Sequence, residues 1–324
     1  MGVALNAMLG TDLMVSVVVV AVICAFYVTV GGQTSVIMTD LAQGVILLIA
    51  GILLFVIGLG ALGGWGEFWE GLPLLHRFPM AQFNEPHQFN FVGIFWQDGI
   101  SNTFALYMMN QGFILRFLSL KSVDEARKSF LALILILMPL AAFAVSNAGW
   151  LGRSMVTHGM LPVDVDPNAV FVEVAGKICA PGVFGFVMAA LTAALMSTID
   201  TLINAVSAVA VNDVYRPYIR TGATDKHYLR AARIVSLAAA LLGLILVPVF
   251  ASFNSIYVAH GAFTASITPA MVVAIVLAMY WRRFSSTAAF WTLLGGSILV
   301  ALSILFPVLV LSLIHISEPT RQLM

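Results

Sequence analysis

Apolar runs long enough to cross a bilayer recur from one end of this sequence to the other: Leu13–Val30, Val36–Leu62, Phe95–Leu115, Phe130–Leu151, Cys179–Val211, Ile234–Phe250, Ser255–Trp281 and Ala288–Leu311. A helix crosses the hydrocarbon core in about 20 residues. At that depth no water satisfies the backbone, so only helices and closed barrels span. These runs are apolar all round rather than alternating, which fits helices and not barrel strands. With 61% hydrophobic residues, 9% charged ones and a mean hydropathy of +1.01, the chain lies far outside soluble composition. The sequence therefore predicts an all-α polytopic membrane protein of about eight transmembrane helices. The fifth run is too long for a perpendicular helix and is expected to tilt or protrude.

The few charges are sorted by side. Arg116, Lys121, Arg127 and Lys128 follow the third run, Arg216, Arg220, Lys226, Arg230 and Arg233 the fifth, and Arg282 and Arg283 the seventh. Alternate loops hold only Arg77, Arg153 and Lys177, so eleven basic residues face three across the expected membrane. That bias places the loops after the third, fifth and seventh spans in the cytoplasm. The Gly31-Gly32-Gln33 turn then falls inside and residues 63–94 outside. The plasma (inner) membrane is the expected location, with the lipid bilayer as a partner and no nucleic acid.

Residues 63–94 are rich in Gly, Pro and aromatics (Trp65, Phe68, Trp69, Phe78, Phe83, Phe89) and read as an ordered cap or interfacial hairpin. Within 152–177, Asn168–Lys177 reads as a short amphipathic surface helix. Cys24 and Cys179 read as small buried apolar residues rather than a disulfide. Residues 3–9 resemble the tail of an earlier helix. Residues 313–324 break sharply from the last span and read as a non-native tail, leaving 1–312 as one transmembrane domain.

Asp200 is the only charged residue between Ile178 and Asn212. An ionised carboxylate at bilayer depth costs roughly 2.5 to 3.5 kcal/mol, which spanning alone never requires. Ser197, Asp200, Thr201 and Asn204 lie at i, i+3, i+4 and i+7, one stripe of a helix that Ser207 or Ala208 extends. Hydroxyls and one carboxylate suit a small hard cation. The alternative is a hydrogen-bonded seam between helices; the aspartate favours the ion. Asp40 is the second isolated acid. It reads as lying in the first turn of its helix, where the dipole eases burial, either as part of the same inward ion path or as a structural cap.

The third span sets Thr103, Tyr107 and Asn110 on one face, which suits a solute cavity or bonds to neighbouring helices. His260, near the start of the seventh, is a candidate cavity residue, with a hydrogen-bonded structural role as the alternative. HExxH, CxxC, GxSxG and P-loop patterns are absent, and no enzyme activity is expected.

Four ordered segments resemble the solute:sodium symporter family. Gly31-Gly32-Gln33-Thr34-Ser35-Val36-Ile37-Met38-Thr39-Asp40-Leu41-Ala42-Gln43 is similar to its GG-x-x-AV-x-x-TD-x-x-Q signature. Asn110-Gln111 with Arg116-Phe117-Leu118, Lys121-Ser122 and Glu125-Ala126 resembles a second family segment. Ala194-Leu195-Met196-Ser197-Thr198-Ile199-Asp200-Thr201, with Asn204 and Asn212-Asp213-Val214-Tyr215, resembles its sodium-site helix, and Ile267-Thr268-Pro269 and Trp281-Arg282-Arg283 match later landmarks. The resemblance implies a LeuT-type core of inverted five-helix repeats, here incomplete, with sodium as the bound ion. Ser197 and Thr198 with the Ala194 carbonyl would form half of a main sodium site. Asp40, Asp200 and Thr201 would meet a second ion. The other half of the main site belongs to a first core helix that this chain is read as lacking, so the chain alone is not expected to transport. Positions that hold Asn, Lys and Gln in sugar-transporting relatives are Thr103, the apolar Leu135–Leu137 stretch and Gly261, so no sugar pose carries over.

The expected function is sodium-coupled symport of a small organic solute. A proton-coupled carrier or a solute sensor on the same fold is the alternative. An intramembrane aspartyl protease would also need two membrane aspartates, but Met38-Thr39 before Asp40 and Thr198-Ile199 before Asp200 do not match the YD and GxGD motifs of those enzymes.

Overall fold

A computed structural model describes residues 10–77, 95–251 and 256–305. Backbone hydrogen bonding in a membrane must close within each segment, and every described element is accordingly helical. Leu13–Leu62 (α1), Trp65–Gly71 (α2) and Leu74–Arg77 (α3) come first. A π-helical stretch, Phe95–Asn102, leads into Thr103–Met109 (α4), followed by Gln111–Leu118 (α5). Val123–Ala132 (α6) continues through a π-helical turn, Leu133–Leu137, into Met138–Thr157 (α7). Val170–Ile178 (α8), Pro181–Val209 (α9), Asp225–Ala251 (α10), Ile256–Tyr280 (α11) and Ser286–Leu305 (α12) complete the order.

The chain divides into two compact units, Met1–Ala81 with Leu115–Pro248, and Gln82–Ile114 with Val249–Met324. In the first unit, α1 is broken at Gly32, whose φ of 61° and ψ of −159° belong to backbone space open essentially to glycine alone. Tyr27, Gln33 and Asp40, from before, at and after the break, all bond to Asp200, Asn204 and Thr201 on adjoining turns of α9. The two arms therefore run back along each other as two spans, as the sequence anticipates.

The second arm packs against α7 at very short range. A Cβ on Gly51 would sit 2.3 Å from the Ala144 carbonyl oxygen, and one on Gly58 would sit 2.6 Å from Leu151 methyls. Two turns apart, these glycines form the small-residue face that lets membrane helices approach. Asn147 Nδ2 donates to the Gly51 carbonyl at 3.0 Å across this seam. Leu54, Leu151, Met155, Val174, Val187 and Met188 close the core among α1, α7, α8 and α9. In α2, Phe68 packs edge-on against Phe55, and the Ser154 hydroxyl donates to the Phe68 carbonyl at 3.1 Å. Trp65–Arg77 thus forms the ordered cap expected there. The remainder of that segment, including Phe78, Phe83 and Phe89, lies outside the described residues, as do residues 3–9 and the 313–324 tail.

Among the described residues, four helices are long and apolar enough to cross a membrane: Met14–Leu62, Val123–Thr157, Pro181–Ile219 and Asp225–Pro248. Ile267–Tyr280 and Ser286–Val300 add shorter apolar stretches. Several expected boundaries shift. The fourth span begins at Val123, where Ser122 caps the helix by accepting from the Glu125 amide at 3.2 Å. The fifth begins at Pro181 because Cys179 is the extended residue ending α8. It then runs past Val211 through a π-helical stretch, Ala210–Ile219. The expected surface helix appears as α8, but it buries Val172, Val174 and Ala175.

The third span is not one straight helix. Asn110 is extended (φ −74°, ψ 111°), and its Oδ1 accepts from the Phe113 amide at 3.3 Å, which starts α5 afresh. A single polar face through Thr103, Tyr107 and Asn110 therefore does not form. Asp40 also lies two turns beyond the Gly32 break rather than in the first turn, so a charged partner replaces the helix dipole in compensating it.

Candidate functional site

In the first unit, α9 presents Asp200, Thr201 and Asn204 to both arms of α1. Asp200 is fully buried and accepts a hydrogen bond from the Tyr27 hydroxyl. The Thr201 hydroxyl lies 3.2 Å from Asp40 Oδ2 and 3.4 Å from Asp200 Oδ1, so one side chain joins the two isolated carboxylates. Arg116 of α5 forms an ion pair with Asp40 and donates to the Thr201 hydroxyl at 3.0 Å. Asn204 donates to Gln33 Oε1 beside the chain reversal. Buried charges persist in apolar surroundings only when paired and hydrogen-bonded. Here one base serves two acids: Arg116 pairs with Asp40, while Asp200 is held by the Tyr27 and Thr201 hydroxyls. Three buried oxygens on α1, Thr29 Oγ1, Asp40 Oδ1 and Gln43 Oε1, have no hydrogen-bond partner.

One turn earlier on α9, the Ser197 hydroxyl donates to the Ala194 carbonyl at 3.1 Å, bringing two of the three expected ligand oxygens together. Thr198 is exposed on the outer face of the same turn. The expected stripe does not continue through Ser207. That hydroxyl is buried and donates to the Ala232 carbonyl of α10 at 2.8 Å.

In the second unit, Thr103, Asn110 and His260 line one cavity of about 560 Å³ together with Asn102, Thr264 and Thr268. The Thr264 hydroxyl bonds the His260 carbonyl at 2.8 Å, one helical turn back. Amides, hydroxyls and one imidazole dominate the polar lining, and Ala105, Leu106, Met109 and Met271 supply apolar surface. Tyr107 is not part of this wall; its ring packs edge-on against Phe113 at 5.5 Å.

The structure thus brings the two acids singled out from the sequence to one hydroxyl, and sets Thr103, Asn110 and His260, but not Tyr107, in one cavity wall. Sequence reasoning placed Arg116 at a helix end without pairing it, named Gln33 only as part of the turn, and passed over Tyr27. A signal existed for each. Tyr27 is the only hydroxyl-bearing aromatic in the first span, and Gln33 the only amide at the reversal.

The sequence matches the sodium:solute symporter family over residues 2–296. The sodium/glucose cotransporter of Vibrio parahaemolyticus is 25% identical over 307 residues, covering 89% of this chain and 56% of that protein. The high-affinity proline transporter PutP of Bacillus subtilis is 26% identical over 314 residues, covering 94% and 61%. The chain therefore spans little more than half the length of these curated relatives. A solved Na+-coupled sialic acid symporter, in a substrate-bound outward-open state, superposes with a TM-score of 0.68 at 20% identity, covering 95% of this chain and 69% of that one. The fold is thus LeuT-like, all-helical and consistent with a polytopic membrane protein. The family match covers nearly the whole sequence, and this chain belongs to the sodium:solute symporter family.

Proposed function

We propose that the protein carrying this chain couples inward sodium movement to uptake of a small organic solute. The convergence of Asp40 and Asp200 on the Thr201 hydroxyl, within a helical membrane bundle, carries the reading. Two carboxylates from separate spans meet where hydrocarbon penalises each of them. In this state Arg116 supplies the compensating charge at Asp40. A sodium ion reaching the cluster would share that carboxylate with the guanidinium, which gives the ion a way to loosen the tie between α5 and α1. The Ser197 hydroxyl and the Ala194 carbonyl, one turn away on α9, would hold another ion with hard oxygens once Thr198, now on the outer face, turns to join them. Both relatives described above are sodium or proline carriers by name, and the structural neighbour is Na+-coupled.

The membrane potential contributes about 2.3 kcal/mol per charge per 100 mV to such a cycle. Among the described residues, the wall of the cavity around Thr103, Asn110, His260, Thr264 and Thr268 holds no Asp, Glu, Lys or Arg. It suits a solute recognised through hydroxyl or amide groups rather than net charge.

The test is sodium-dependent uptake by the transporter that contains this chain. Ser197→Ala removes one ion ligand and should raise the half-saturating sodium concentration roughly tenfold or more, equivalent to about 1.4 kcal/mol. Asp200→Asn should weaken the sodium response or change its stoichiometry. Wild-type sodium dependence in both variants would overturn the assignment. Uptake that ignores sodium and follows a pH gradient would mark a proton-coupled carrier instead.

A further inference from the structure

A second pocket, of about 500 Å³, lies in the first unit between α7, residues 163–167, the start of α8 and His76 of α3. It is open to solvent, with Trp150, Val163 and Pro167 exposed on its mostly apolar wall, and it holds two exposed basic side chains, Arg153 and His76. Arg153 is the only charged residue on α7. Among the described residues, no ion pair joins Arg153 or His76 to a carboxylate. The neighbouring charges are committed or lie outside the pocket wall. Asp166 accepts from the Asn168 amide and side chain at 2.9 and 3.1 Å. Arg77 donates to the carbonyls of Leu72 and Glu70. Asp164 is exposed and not among the lining residues. Burial, and then the Arg153 charge, hold the His76 imidazole below its ordinary titration range, so Arg153 is the standing positive charge of the wall.

We propose that this pocket binds a small organic anion, a carboxylate or phosphate on an apolar body, with Arg153 holding the charge and Trp150, Val163 and Pro167 the body. A guanidinium offers a planar fork that matches either oxyanion. An indole face and branched side chains supply the apolar contact that orients such a ligand. On the orientation expected from the basic loops, this end of α7 faces outward, within reach of soluble anions and of lipid headgroups alike. Gly149 marks open space in the wall, since a Cβ there would meet no atom within 4 Å.

The experiment is equilibrium dialysis of radiolabelled benzoate against the detergent-solubilised full chain, with benzamide as the neutral competitor. Benzoate should bind and benzamide should fail to displace it. Arg153→Gln should weaken binding roughly tenfold or more, the scale of a charge-assisted hydrogen bond. Gly149→Leu should block the pocket while keeping Arg153, and helicity and monodispersity of both variants establish folding. Affinity should rise as pH falls through the His76 titration, because the protonated ring adds positive charge beside the anion. If the natural ligand is a headgroup, phosphatidylglycerol vesicles should stabilise the wild type but not Arg153→Gln, relative to phosphatidylcholine alone. The site is overturned if benzoate fails to bind and phosphatidylglycerol has no effect. It is overturned equally if both folded variants bind as the wild type does. Neither result bears on the sodium cluster, which shares no residue with this pocket.

Discussion

Helix α1 makes two interfaces of opposite character. Against α7 its second arm offers Gly51, where a Cβ would run into the Ala144 backbone, and Gly58, where it would run into the Leu151 side chain. Against α9 the two arms offer Tyr27, Gln33 and Asp40, and the contact is a chain of charged and polar bonds. Among the described residues, Asn147 supplies the side-chain hydrogen bond across the α7 seam, its Nδ2 lying 3.0 Å from the Gly51 carbonyl and from the Phe143 and Ala144 carbonyls of its own helix. Its Oδ1 is the one buried side-chain atom without a partner there, whereas three such atoms lie on α1 itself, at Thr29, Asp40 and Gln43. In a bilayer, close packing of small residues holds helices together without any need for charge. The polar seam does not stabilise as efficiently. It brings groups together that an ion can rearrange.

That contrast breaks most readily on the α7 side. Gly51→Val drives a branched side chain into the Ala144 carbonyl, which a backbone cannot yield cheaply. The expected loss is about 3 kcal/mol or more, visible as collapse of the folded peak in size-exclusion chromatography. Gly60→Ala, on the same arm but facing open space, should elute as the wild type. If Gly51→Val folds normally, the helices are not held at this distance.

The ion pair comes next. Asp40→Asn leaves Arg116 without its anion and Arg116→Gln leaves Asp40 without its cation. Each should lower unfolding stability by about 2 kcal/mol, less than for a fully buried pair because Arg116 remains 31% exposed. The double variant should recover part of that loss. Strict additivity in the cycle would mean that the two groups do not interact.

Smallest is Tyr27→Phe, which removes the donor to Asp200 and keeps the ring. A loss of about 1.5 kcal/mol is expected, with sodium response altered more than solute affinity. An unchanged sodium response would confine Tyr27 to packing.

Much of the membrane architecture was legible in the residue string. Lone acids in apolar runs identify themselves, because hydrocarbon makes them expensive and no partner lies nearby in sequence. Gly31-Gly32-Gln33 marked the reversal, because only glycine supplies the backbone angles found at Gly32. Periodicity failed at the third span. A helix wheel assumes an unbroken helix, and Asn110 both ends one segment and caps the next. His260 was legible only as a candidate, without its neighbours. Its relation to Thr103 and Asn110 spans about 150 residues and exists only as a shared cavity wall.

By itself, then, the sequence determined that the chain enters a membrane as helices, where it turns back, and which buried acids demand partners. Each follows from solvation and backbone sterics acting within a few turns. Only the tertiary structure decided who those partners are. Arg116 reaches Asp40 across 76 positions and Tyr27 reaches Asp200 across 173. Whether two side chains so far apart share one site depends on which helix faces lie in register, and packing sets that register.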